Sequence, residues 1–98
     1  MQYLVITQDN GTVDWTSKDD LLRQESFHIW RLVKSGVVRE IWFTKTKDAI
    51  LLLEGVSESK INEVIAAFPL IRSGLLKYNI TELHAYTGFE RLFDGTDK

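Results

Sequence analysis

Apolar and polar positions along the chain change period several times, and each change marks an element. Gln2 to Thr7 (QYLVIT) is a short apolar, β-branched run that ends on Gln8, Asp9, Asn10 and Gly11, a turn signal, so a first strand is predicted. Lys18 to Gly36 then reads as an amphipathic helix, with Leu21, Leu22, Ile29, Leu32 and Val33 at helical spacing. Thr16 or Ser17 is expected to cap it, Asp19 and Asp20 suit the positive end of its dipole, and Lys34 and Gly36 suit its end. Val37 to Thr44 (VVREIWFT) is a second strand, whose alternation puts Val38, Glu40, Trp42 and Thr44 on one face and Val37, Arg39, Ile41 and Phe43 on the other.

A polar turn, Lys45 to Asp48, leads to a third strand, Ala49 to Glu54 (AILLLE), apolar enough to be central in a sheet. So short a connection makes these two strands a hairpin. Ser57 is expected to cap a second helix, whose stripe of Ile61, Val64, Ile65 and Phe68 stops at Pro69, the only proline. A last strand runs around Leu76 to Tyr86, with Tyr78, Ile80, Glu82, His84 and Tyr86 on one face. The tail, Gly88 to Lys98, carries Phe89, Leu92 and Phe93 before turning polar, and is expected to dock on a neighbouring subunit and then fray.

Strand, helix, strand, strand, helix, strand is an α+β order. Right-handed crossovers turn it into a split βαβ, or ferredoxin-like, antiparallel sheet with strand order 4-1-3-2 and both helices on one face. The 98 residues make a single domain, residues 1–98, with about 88–98 as its tail. The face away from the helices then exposes more apolar surface than a soluble monomer tolerates, and a second copy of the sheet is the expected cover.

Composition narrows the function. A net charge of −2 leaves no basic excess for phosphates, so nucleic acid is not an expected partner. Without cysteine there are no disulfides or thiolate metal sites, and His28 and His84 lie far apart with no ligand spacing, so no metal is expected. The start has no basic region followed by a long apolar stretch, and the longest apolar run, Ala49 to Leu53, is too short for a bilayer. The expectation is a soluble, cytoplasmic protein with no membrane partner.

One residue breaks the helical pattern. The five apolar residues of the first helix span an arc roughly 120° wide, and Glu25 falls inside it, with His28 one turn on at its edge. An ionised carboxylate on a buried face is costly unless it is paired or protonated, so Glu25 has either partners or a task. The plainer reading puts it at the helix rim with its oxygens in water. Phe27 and Trp30 lie off the arc, either exposed or packed on another subunit.

The chain resembles the muconolactone isomerase family. Glu25, Leu32, Ser35, Gly36 and Ile41–Trp42 stand in the family's pattern of the first helix and second strand; Phe68–Pro69–Leu70 and then Ile80, Thr81 and Leu83 continue it. The similarity covers most of residues 20 to 85. Glu40 stands where the family has a histidine, and the segment after Leu70 is about two residues longer and lacks a second proline. The resemblance implies a homodimer in which two sheets close into a dimeric α/β barrel, with larger homo-oligomers open, and a small pocket in each subunit. It also implies an isomerase of aromatic catabolism that shifts a double bond in an unsaturated lactone without cofactor or metal.

Such a reaction needs a base beside a carbonyl and an acid that returns the proton. Glu25 is the expected base, and His28 its orienting partner or the returning acid. Trp42 is expected either to line the pocket or to pack in the core, and Arg31, Arg39 or Arg72 either to hold a substrate carboxylate or to stay solvated at the surface. Glu40 is either a second pocket carboxylate or part of the subunit interface, and His84 is assigned to the dimer contact. Two other readings remain open: the residues leave a non-catalytic dimer that binds a small ligand or a partner, and the barrel architecture that the resemblance implies leaves a cofactor-free monooxygenase.

Overall fold

The computed structural model describes residues 1–93. Four strands, β1 (Gln2–Asp9), β2 (Val38–Phe43), β3 (Ala49–Glu54) and β4 (Leu76–Leu83), form one antiparallel sheet in the order β2-β3-β1-β4. The crossovers carry α1 (Asp19–Lys34) in the first and α2 (Glu58–Ala66) with a four-residue helix, α3 (Pro69–Arg72), in the second. This is the ferredoxin-like order read from the sequence, with the apolar β3 second from the edge.

Tyr3, Val5 and Thr7 of β1 point to the helices, and the register sets Tyr3 opposite Leu53, Val5 opposite Leu51 and Thr7 opposite Ala49. Ile61, Ile65 and Phe68 cover them from the second crossover, and Ile29 and Leu32 pack against the same core from α1. Each such side chain withdrawn from water contributes roughly 1.5–3 kcal/mol. Leu4 and Leu52, and likewise Ile6 and Ile50, pair across the other, helix-free face, where Trp42 stands opposite Ile50.

Two local expectations change. Thr16 and Ser17 do not cap α1: they belong to a 3-10 turn, Trp15–Ser17, whose own cap is Asp14, accepting from the Thr16 amide at 3.1 Å. The helix starts after Lys18 without a side-chain cap. Pro69 does not simply stop a helix but opens α3, where its missing N–H costs nothing at the first helical position. The expected closing glycine is in place, since Gly36 holds the left-handed φ of +85° just beyond α1.

The last strand ends at Leu83, so His84 and Tyr86 lie beyond the sheet. Beyond β4 a 3-10 turn, Gly88–Leu92, carries an arm whose Tyr86 ring stacks edge-on against Phe89 at 4.9 Å, while Phe93 is 80% exposed. The radius of gyration is 17.1 Å, against about 13 Å for a compact chain of this length, as an arm standing off the body requires. The polar end of the expected tail lies outside the described residues.

Candidate functional site

Glu25 is the one buried residue of α1, 7% exposed. Its Oε1 accepts a hydrogen bond from the Leu70 amide at 3.0 Å. That amide is available because the first-turn N–H groups of a helix have no acceptor within it, and Leu70 is the second residue of α3. The carboxylate thus ties α1 to α3. Its other oxygen has no protein partner among the described residues yet is not sealed off from accessible space. Burial pushes the Glu25 pKa up, and the Leu70 N–H, which favours the charged form, opposes the shift only in part.

Glu25 belongs to the wall of a cavity of about 370 Å³ between α1 and the sheet. α1 contributes Leu22, Glu25, Ser26 and Ile29, and Phe68 and Leu70 close the side toward the second crossover. From the sheet come Thr7, Ile41, Phe43 and Leu51, so the walls are mostly aliphatic and aromatic with few polar groups. The mouth lies at the end of β1, where Asp9, Trp15 and Lys47 stand. Asp9 accepts from the Gly11 amide at 2.8 Å and from the Trp15 indole at 3.4 Å, which holds that ring at the entrance.

Of the expected site residues, only Glu25 lines this cavity. His28 packs edge-on against Phe68, with ring centroids 5.1 Å apart, and makes no hydrogen bond to Glu25. Its Nε2 is enclosed without a partner. Burial, then the positive charges of Arg31 and Arg72, lower its pKa and favour the neutral ring.

Trp42 and Glu40 face the other way. The cavity wall expected from Trp42 is made instead by Ile41 and Phe43, because a bulge between Val38 and Glu40 breaks the alternation of β2. Val38 and Ile41 therefore both face the helices, and the Trp42 indole donates to Glu40 at 3.1 Å on the helix-free face. Arg39 at the bulge and Arg72 on α3 are exposed and do not line the cavity; nor does Arg31, which lies over the Phe27 ring at 5.5 Å. His84 pairs with Glu82 at 2.7 Å past the end of β4.

Sequence reasoning missed Thr7, Trp15, Lys47 and the Leu70 amide. Thr7 had a signal, as the one small polar side chain in the inward alternation of β1 after Tyr3 and Val5. No group of three or more metal-ligating side chains occurs among the described residues, and no helix among them is long and apolar enough to cross a membrane.

No family model matches the chain, and no curated protein matches it in sequence. Solved structures match it in fold. Muconolactone isomerase superposes with a TM-score of 0.76 at 17% identity, over 89% of this chain and 92% of that one. The 5-chloro-2-hydroxyhydroquinone dehydrochlorinase from Burkholderia phenoliruptrix, solved with 2,5-dihydroxybenzoquinone, gives 0.72 at 12% identity, over 90% of this chain and 98% of that one. With the same sheet order and helices on one face, the chain has a ferredoxin-like, muconolactone isomerase-like fold.

Proposed function

We propose that the chain is a cofactor-independent isomerase that moves a proton on a small unsaturated lactone or related carbonyl compound, with Glu25 as the base. The observation that carries this reading is a buried carboxylate on the wall of an apolar cavity, one oxygen fixed by the Leu70 amide and the other without a protein partner among the described residues. A C–H bond beside the carbonyl breaks, its proton goes to Glu25, and the electron pair enters the conjugated system. The proton then returns at the far end of that system, so the double bond has moved and nothing is consumed. Burial suits a carboxylate to both halves, since a raised pKa makes it a better base and lets it hold the proton in between. Both transfers fall to Glu25, because His28 neither bonds to it nor lines the cavity.

The neighbours support the substrate class in kind. One is named for isomerising a lactone and the other was solved with a quinone. The reading includes a homodimer closed through the helix-free faces, for which the paired Leu4, Leu52, Ile6 and Ile50 are the support. A binding dimer without catalysis is the second reading, favoured by Phe27 and Trp30, which lie exposed on α1 with ring centroids 5.8 Å apart.

The test is a pH–rate profile on unsaturated lactones with the parent and Glu25→Gln. A loss of roughly 10²- to 10⁴-fold in kcat is expected for the variant. Turnover within a few-fold of the parent would remove Glu25 as the base.

A further inference from the structure

Lys47 occupies a backbone position that a lysine does not favour. It is the one non-glycine residue with positive φ among those described, at +71°, in the β2–β3 hairpin. Glycine or asparagine adopts that conformation at lower cost. The hairpin leaves no choice of geometry: Thr44 receives the Lys47 amide at 2.9 Å and donates its own to Asp48 at 2.8 Å, and its hydroxyl accepts the Asp48 amide at 3.0 Å. These bonds hold the turn, and the turn puts Lys47 at the cavity mouth.

There Lys47 is the only cationic residue on the cavity wall, and it has no carboxylate within ion-pair distance among the described residues. Two acids share the lining. Asp9 is already engaged by the Gly11 amide and the Trp15 indole, and Glu25 by the Leu70 amide. The arginines that the sequence offered for a substrate carboxylate, Arg31, Arg39 and Arg72, are outside the cavity. An apolar chamber with one free ammonium at its entrance suits a ligand with a ring at one end and an anionic group at the other.

We propose that Lys47 is the specificity-determining anchor of this cavity and selects small cyclic carboxylates, holding the carboxylate at the mouth while the ring lies against Phe43 and Phe68. The proposal rests on the cavity being the substrate site of the isomerase reading, whose base is the separate residue Glu25.

The experiment compares phenylacetate with its uncharged counterpart phenylacetamide by amide-shift titration of the parent, Lys47→Gly, Lys47→Arg and Glu25→Gln proteins. In the parent, phenylacetate binds about fivefold more tightly than the amide at low salt, shifts Ser26, Phe43 and Leu70, and loses its advantage as salt rises. Lys47→Gly abolishes the preference while binding the amide as before, and its Tm is no lower than the parent's, because glycine relieves the turn. Lys47→Arg keeps the preference. An acid preference that survives in Lys47→Gly overturns the proposal, as does a parent that binds neither probe in the cavity or binds both equally. Glu25→Gln is expected to keep the acid preference. Lactone turnover by that variant would sink the isomerase reading and leave the anchor standing, so the two failures are distinct.

Discussion

Glu25 is held where a charge is expensive, and the expense has a measurable sign. Its folded pKa is raised by burial from an ordinary 4.5, so the native chain binds a proton more readily than the unfolded one. The carboxylate is tolerated without penalty while protonated, and stability falls as pH rises through the folded value. Glutamine keeps an oxygen for the Leu70 amide and carries no charge. Glu25→Gln is therefore expected to be more stable than the parent at neutral pH in urea unfolding, with the gap closing as pH falls toward 4.5. A gap that does not change with pH would mean that water reaches the carboxylate freely. Such a gain alongside lost turnover is the usual trade where a strained site does chemistry. The residue itself was legible, because a lone acid inside an apolar arc contradicts the helix's own pattern. The atom that fixes it was not, since a main-chain amide of Leu70 has no side-chain signature. His28 was legible as a neighbour on the helix, but spacing along α1 could not say that its ring turns to Phe68 instead of Glu25.

Among the elements, those with clear punctuation match their expected bounds best. Ala49–Glu54 is found as expected, and Ser57 caps α2 by accepting from the Lys60 amide at 3.1 Å. Ser57→Ala should lower the unfolding free energy by about 1 kcal/mol in denaturant titrations, the typical worth of such a cap. β2 was misread on its inner half. Strict alternation assigns Val38 and Trp42 to one face, and nothing in Val-Arg-Glu announces a bulge, since neither glycine nor proline marks it. One extra residue at that point exchanges the pair on the cavity wall, so Phe43 and Ile41 replace Trp42, and Glu40 turns to the helix-free face with it. Pro69 was read only in part: α2 does end before it, and the same ring also suits the start of α3.

For the whole molecule, the unfinished surface is the helix-free face, where Trp42 remains 64% exposed above the paired Leu4, Leu52, Ile6 and Ile50. If two copies close over it, Ile50→Lys sets an unpaired charge in the middle of the contact. Sedimentation should then find the subunit Kd weakened about 30-fold or more, the scale of a lost central contact. A parent that already sediments as a monomer at micromolar concentration would remove the dimer from the reading. The overall architecture was legible because it follows from element order and the handedness of crossovers, which local misreadings leave untouched.

The indole that Asp9 keeps at the entrance is one of three in the chain, and the other two stand on α1 and on the helix-free face, outside the chamber. Its fluorescence therefore answers to whatever enters there. With phenylalanine in place of Trp30 and Trp42, the protein becomes its own gauge of occupancy, able to survey candidate guests with no attached dye.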